Sequence, residues 1–174
     1  GEITGGVENA SADEVDWYGD FSEVKEAGKY YITTDVITDP SYEFSIGEDV
    51  YDKAFDASVY MLYLQRCGCE VADKDYGHDV CHASEAVIYK TDEKIDVTGG
   101  WHDAGDYGRY IVPAAKTVAD LLIAYEKNPE LFGDDLGIPE SGNKIPDVLD
   151  EVRYELEWML KMQREDGGVY HKLT

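Results

Sequence analysis

The chain has 174 residues, room for one ordinary domain or parts of two, and its 43% hydrophobic content suits a globular core. Its net charge of −23 excludes nucleic acid as a partner, because holding phosphates needs clustered Lys and Arg, whereas an uncharged polysaccharide is not repelled. No stretch reaches the length of a membrane span, so no membrane partner is expected.

From Gly1 there is neither a basic n-region nor an apolar h-region, as expected of a mature secreted protein or of a fragment. Residues 1–13 are small, polar and acidic, which predicts a mobile end or a loop; Asn9-Ala10-Ser11 fits a glycosylation acceptor, a pattern common by chance. Val15-Asp16-Trp17-Tyr18, the run 29–34 and Tyr42-Glu43-Phe44-Ser45-Ile46 are rich in aromatic and β-branched residues and predict two or three short antiparallel strands. Residues 50–66 then read as a helix whose stripe is Tyr51, Phe55, Val59 and Leu62. It runs into Cys67-Gly68-Cys69 and a long polar connection, 70–98, that holds His78, Cys81 and His82. Loops of this length in compact domains are usually functional or tied down.

Gly99-Gly100-Trp101-His102-Asp103-Ala104-Gly105-Asp106-Tyr107-Gly108-Arg109-Tyr110 follows. Asp103 and Asp106 are separated by Ala104-Gly105, where the backbone can bend sharply and aim both acids at one point. Paired acids can share a water and leave one of them a competent base; the structural alternative is a loop whose aspartates cap the next helix. Residues 113–127 form a second predicted helix with Val118, Leu121, Leu122 and Tyr125 on its stripe. In the loop 129–144, Asp134, Asp135 and Glu140 leave a calcium site open. A third helix is predicted over 146–163, with Pro146 in its first turn, Ile145, Val148, Leu149, Val152, Leu156, Met159 and Leu160 as apolar face, and Glu151 and Glu155 as solvated charges. Val169-Tyr170-His171-Lys172 is short and extended.

Cys67, Cys81, His82 and His102 make a Cys2His2 set, a combination that favours a structural zinc with no open position. The residues alone leave two alternatives: a Cys67–Cys81 or Cys69–Cys81 disulfide with surface histidines, and Cys69 or His78 as substitute ligands. Flat rings stack on sugar faces, which makes Trp101, Tyr107 and Tyr110 candidates for substrate binding, against core packing as the plainer role.

Trp101-His102-Asp103-Ala104-Gly105-Asp106-Tyr107 resembles the catalytic aspartate motif of glycoside hydrolase family 9, the inverting cellulases. Further motifs keep the same order: Tyr63-Leu64-Gln65-Arg66-Cys67-Gly68, Cys81-His82, Ile138-Pro139-Glu140-Ser141-Gly142-Asn143 and Leu160-Lys161-Met162-Gln163. The resemblance implies a mainly α fold, the first helices of an (α/α)6 barrel over residues 48–174, preceded over 1–47 by the last strands of an immunoglobulin-like β-sandwich. It implies Asp106 as the base that activates water, Asp103 as the partner holding the same water, and zinc on Cys67, Cys81, His82 and His102, with Cys69 a departure from the pattern. The family's general acid is a glutamate near the end of the catalytic domain; Glu140, Glu151, Glu155 and Glu165 do not match it. The expectation is therefore part of a secreted endo-β-1,4-glucanase that acts on cellulose only with the rest of its catalytic domain, in the same or another chain. A non-catalytic, zinc-stabilised fragment that packs on a partner or holds a sugar is the alternative. A zinc hydrolase with His102 and Asp103 around an open site is a third, weaker one.

Overall fold

The computed structural model describes all 174 residues, which form two compact units, Gly1–Lys53 and Ala54–Thr174. In the first unit, β1 (Ile3–Asn9) and β2 (Glu14–Gly19) make an antiparallel hairpin, pairing Ile3 with Gly19 and Gly5 with Trp17. The mobile end or loop expected over residues 1–13 is thus a strand and a turn. Gly5 and Gly6 interrupt the alternation that would have marked it, and the register shifts between Gly5 and Val7. β3 (Gly28–Tyr30) pairs with β4 (Phe44–Ile46), and Phe44 packs its ring against Phe21 and Tyr30. The strand predicted over 29–34 stops at Tyr30, because the Ile32 N–H donates to the Ser41 hydroxyl and leaves the ladder. Ile3, Val7, Val15 and Trp17 stand exposed on the hairpin.

The second unit is built on α1 (Asp52–Leu64), α2 (Ile111–Lys127) and α3 (Asp147–Lys161), close to the three helices that the apolar spacing predicts. Pro146 stands at the N-cap of α3 and Tyr110 at that of α2, so each helix begins one or two residues away from its predicted start. No helix is long and apolar enough to cross a membrane. The helices meet in a core of Leu62, Trp101, Val118 and Val152, with Tyr63, Val71 and Ile138 on one flank and Val97, Trp158 and Met162 on another. Each predicted stripe divides. Val59, Leu62, Val118, Val148 and Val152 are buried, while Tyr51, Leu122, Leu156 and Leu160 are exposed.

Short ladders lace the loops onto this frame. β5 (Ala86–Val87) pairs with β6 (Lys94–Ile95) inside the long connection, and β7 (Arg109–Tyr110) pairs with β8 (Lys172–Leu173), the extended tail. The decisive close approach is at Gly100. Its φ of 78° is left-handed, and a Cβ there would sit 2.6 Å from Cδ2 of Trp158. Gly100→Ala is expected to lower stability by about 2–4 kcal/mol through backbone strain and overpacking. Thermal unfolding should show this as a fall in Tm of about 5–15 °C; an unchanged Tm would contradict so tight a fit.

Candidate active site and metal centre

The last turn of α1 leads into a short antiparallel pairing that fixes both halves of the site. Arg66 faces Trp101 in a β-bridge, Cys67 N–H donates to the Gly100 carbonyl (2.8 Å) and His102 N–H donates to the Gln65 carbonyl (2.7 Å). Cys67 and His102 are thereby brought together from positions 35 residues apart. The long connection is folded back by a bridge between Val71 and His78 and by the Tyr63 hydroxyl, which accepts from Ala72 N–H. It delivers Cys81 and His82, the latter with a left-handed φ of 48° that only local constraint sustains.

The metal-binding atoms of Cys67, Cys81, His82 and His102 all lie within 4.8 Å of one another. Cys67 Sγ is 3.8 Å from Cys81 Sγ and 3.5 Å from His82 Nδ1, and Cys81 Sγ is 3.4 Å from His102 Nε2. The three cysteines are free thiols, not the disulfide that spacing left open. Burial pushes the Cys67 thiol up to about 12, with Arg109 pulling the other way. Burial, reinforced by His78, His82 and Arg109, holds His102 down at about 4. Without a metal this pocket prefers a neutral thiol and a neutral imidazole, so a cation would enter by displacing thiol protons. Cys69 stands aside, accepting a hydrogen bond from the Tyr154 hydroxyl, and His78 packs near the His102 ring without joining the four.

The loop after His102 closes on itself. Asp103 N–H donates to the Gly108 carbonyl and Tyr107 N–H to the Ala104 carbonyl, with Tyr107 at a left-handed φ of 56°. Asp106 accepts from Gly108 N–H and from the Tyr110 hydroxyl, both at 3.1 Å, which fixes its carboxylate and raises the Tyr110 pKa. Asp103, Asp106 and Tyr107 are exposed, and Tyr107 presents its ring edge-on to His102 at 4.7 Å. Asp103 also borders a cavity of about 240 Å³ with Gln65, Trp101 and Tyr110.

Of the three aromatic candidates for substrate binding, Trp101 is the one that packs inward. It is buried in the core, its N–H donates to Glu155 Oε2 (2.7 Å) and its indole Nε1–H to Glu151 Oε2 (3.2 Å). Glu151 and Glu155 are correspondingly buried, not solvated. They share the face of α3 that carries Val148, Val152 and Trp158, and that periodicity was the available signal. Arg66 bonds Glu140 with two parallel N–H donors at 3.0 Å, meets Glu151 at 2.9 Å and lies over the Tyr154 ring. Glu140 is thus committed to Arg66, and Asp134 to the N–H groups of Gly142 and Lys144. Arg109 donates to the carbonyls of Val97 and Gly99, clasping the segment that bears the site.

Burial pushes Glu155 up to about 8, against the pull of the Trp101 N–H and Arg109, from an ordinary value of 4.5. The unfolded chain therefore gives up this proton at lower pH than the folded one, and the associated stability is full below about pH 4.5 and lost as pH rises through 8. Glu155→Gln should accordingly raise Tm at pH 8, with the gain vanishing toward pH 4.5. A Tm difference independent of pH would refute the buried, protonated state.

With this geometry in view, the profile of glycosyl hydrolase family 9 matches residues 51–173. A cellodextrinase of Butyrivibrio fibrisolvens is 41% identical over 98% of this chain and 33% of its own length. Endoglucanase D of Acetivibrio thermocellus is 39% identical over 100% of the chain and 29% of its own. The crystal structure of a Zn-binding triple mutant of the family 9 endoglucanase J30 superposes with a TM-score of 0.90 at 37% identity, over 99% of this chain and 34% of that one. The chain spans about a third of the length of the proteins it matches.

Proposed function

This chain belongs to glycosyl hydrolase family 9, and from that premise we propose that it is the N-terminal part of the catalytic domain of a secreted, inverting endo-β-1,4-glucanase. The cellodextrinase and endoglucanase relatives support a β-1,4-glucan such as cellulose as substrate. In this reading α1, α2 and α3 are the first helices of an (α/α)6 barrel, and the two hairpin-like ladders of the first unit belong to an immunoglobulin-like module.

The observation that carries the proposal is the Asp-Ala-Gly-Asp loop growing directly out of the Cys2His2 cluster at His102. Asp106, oriented by Gly108 N–H and the Tyr110 hydroxyl, takes the proton of the attacking water. Asp103 holds that water from the other side, and the acid that protonates the leaving oxygen comes from the remainder of the catalytic domain. Tyr107 and Tyr110 line the glucan path, and Trp101, mostly buried, borders the cavity beside Asp103.

The cluster fits zinc. A tetrahedron with Zn–S of about 2.3 Å and Zn–N of about 2.0 Å has edges of about 3.8 Å between sulfurs and about 3.5 Å between sulfur and nitrogen. The observed separations of 3.8, 3.5 and 3.4 Å fall on those values. Cys67, Cys81, His82 and His102 would hold the metal with no position left open, so it would supply rigidity at His102 and leave Asp103 free for water. This weighs against a zinc hydrolase built on Asp103.

The test is stereochemical. With the enzyme that carries this sequence, proton NMR of cello-oligosaccharide cleavage should show the α-anomer first, the inverted product. The β-anomer appearing first, or no cleavage at all, would overturn the proposal.

A further inference from the structure

We propose that Glu151 and Glu155 are positioning residues of the hydrolytic site: from α3 they clamp Trp101 at two points and so set the direction in which His102 and Asp103 enter the acidic loop. The inference rests on the glucanase reading above, and its own basis is geometric.

In the pairing of 65–67 with 100–102, the residues on either side of Trp101 direct their polar groups toward the partner strand. Gly100 accepts there and His102 donates. The N–H of Trp101 points the opposite way, into a region where no water reaches, and a buried N–H needs a partner. Glu155 supplies it at 2.7 Å from 54 residues away. One helical turn earlier on the same face, Glu151 takes the indole N–H at 3.2 Å. Trp101 is held both at its backbone and at the far end of its side chain. It directly precedes the ligand His102 and lies two residues before Asp103.

The surroundings show why the clamp matters. Gly99 and Gly100 just before Trp101 have φ of 114° and 78°, so this is where the chain can swivel most readily. The segment is tied on every side: Arg109 holds the carbonyls of Val97 and Gly99, and Lys161 of α3 that of Thr98. Remove Glu155 and the buried Trp101 N–H is left to turn in search of a partner. A displacement of about 1 Å at reacting groups is enough to lower turnover about a hundredfold. Two fully buried carboxyl groups are expensive to keep. Glu151 is compensated by Arg66 at 2.9 Å, but no basic side chain forms an ion pair with Glu155. Its role here is that of an acceptor.

The test compares Glu155→Gln, which keeps an acceptor oxygen in place, with Glu155→Leu, which removes it at similar volume. In the enzyme carrying the whole catalytic domain, Gln should keep kcat within about threefold. Leu should lose about tenfold or more in kcat with KM within about twofold and the metal retained. The split between kcat and KM, and the rescue by Gln, are not produced by a general loss of stability. If the Leu variant fails to fold, Glu155→Asp, which withdraws the carboxyl by one methylene, should show the same loss. Undiminished kcat in the Leu or Asp variant overturns the proposal, and so does a Gln variant as impaired as Leu.

Amide exchange reads the clamp without turnover. The Trp101 amide should be slow in the parent and about a hundredfold faster in Glu155→Leu, while the amides of Cys67 and His102 keep their rates. Fast exchange of Trp101 in the parent overturns the clamp. A protected Trp101 in an enzyme that cleaves no glucan overturns the glucanase reading instead, and with it a role for the clamp in hydrolysis.

Discussion

Asp106→Asn is expected to reduce turnover on a soluble β-1,4-glucan by about a hundredfold or more, the factor a general base contributes. The substitution is well suited to isolating chemistry from structure. Asparagine keeps an oxygen that can accept from Gly108 N–H and a polar group beside the Tyr110 hydroxyl, the two contacts that fix this side chain. The loop should therefore stay closed, with circular dichroism and metal content unchanged. Asp103→Asn should also lose activity, because the water would be held by a neutral amide in place of a carboxylate. A folded Asp106→Asn enzyme with near-normal turnover refutes the assignment. If only Asp103→Asn is inactive, the two roles are exchanged. Activity in the 174-residue chain by itself would mean that an acid within this sequence has gone unassigned.

The second large effect concerns the metal. X-ray fluorescence should find about one zinc per chain, as a closed four-ligand site requires. A ligand present at a thousand times its dissociation constant adds about 4 kcal/mol to stability, and in a chain of this size that corresponds to a Tm shift of about 10 °C. Chelation should produce a fall of that order, reversed by zinc and not by magnesium. Cys81→Ser should lower the metal content and reproduce most of the fall. A Tm indifferent to chelation, in protein from which the metal has demonstrably been removed, would show that the fold around His82 and His102 stands without it. The left-handed His82 argues against that outcome, since a strained backbone persists only where its surroundings over-determine it.

Much of this was legible in the residues. The spacing of Val118 and Leu121, and of Val148, Val152 and Met159, predicts α2 and α3 because a packed helix must repeat its apolar contacts every three to four positions. The Cys2His2 set was visible as residue types, and the folded chain brings the same four together. What escaped was whatever depends on partners distant in sequence. Glu151 and Glu155 read as solvent charges when each is judged by its side chain alone. Their positions, three and seven residues after Val148, put them on the buried face. Trp101 carries a ring suited to sugars, but its neighbours in the chain do not reveal that two carboxyl groups of α3 claim both its N–H groups. β1 was hidden for a local reason: two glycines at its centre erase the alternation by which strands are recognised.

The separation between Trp101 and Glu155 also has a temporal meaning. A ribosome adding about 5–20 residues per second needs roughly 3–11 s to make the intervening stretch, which is 54 positions long. For that interval the newly made segment bearing both aspartates has its pairing with 65–67 available but lacks its backing helix, and the two N–H groups of the tryptophan have no acceptor from α3. A nascent chain stalled before α3 should thus be open to proteolysis around Gly99-Gly100 and become resistant once α3 has cleared the exit tunnel.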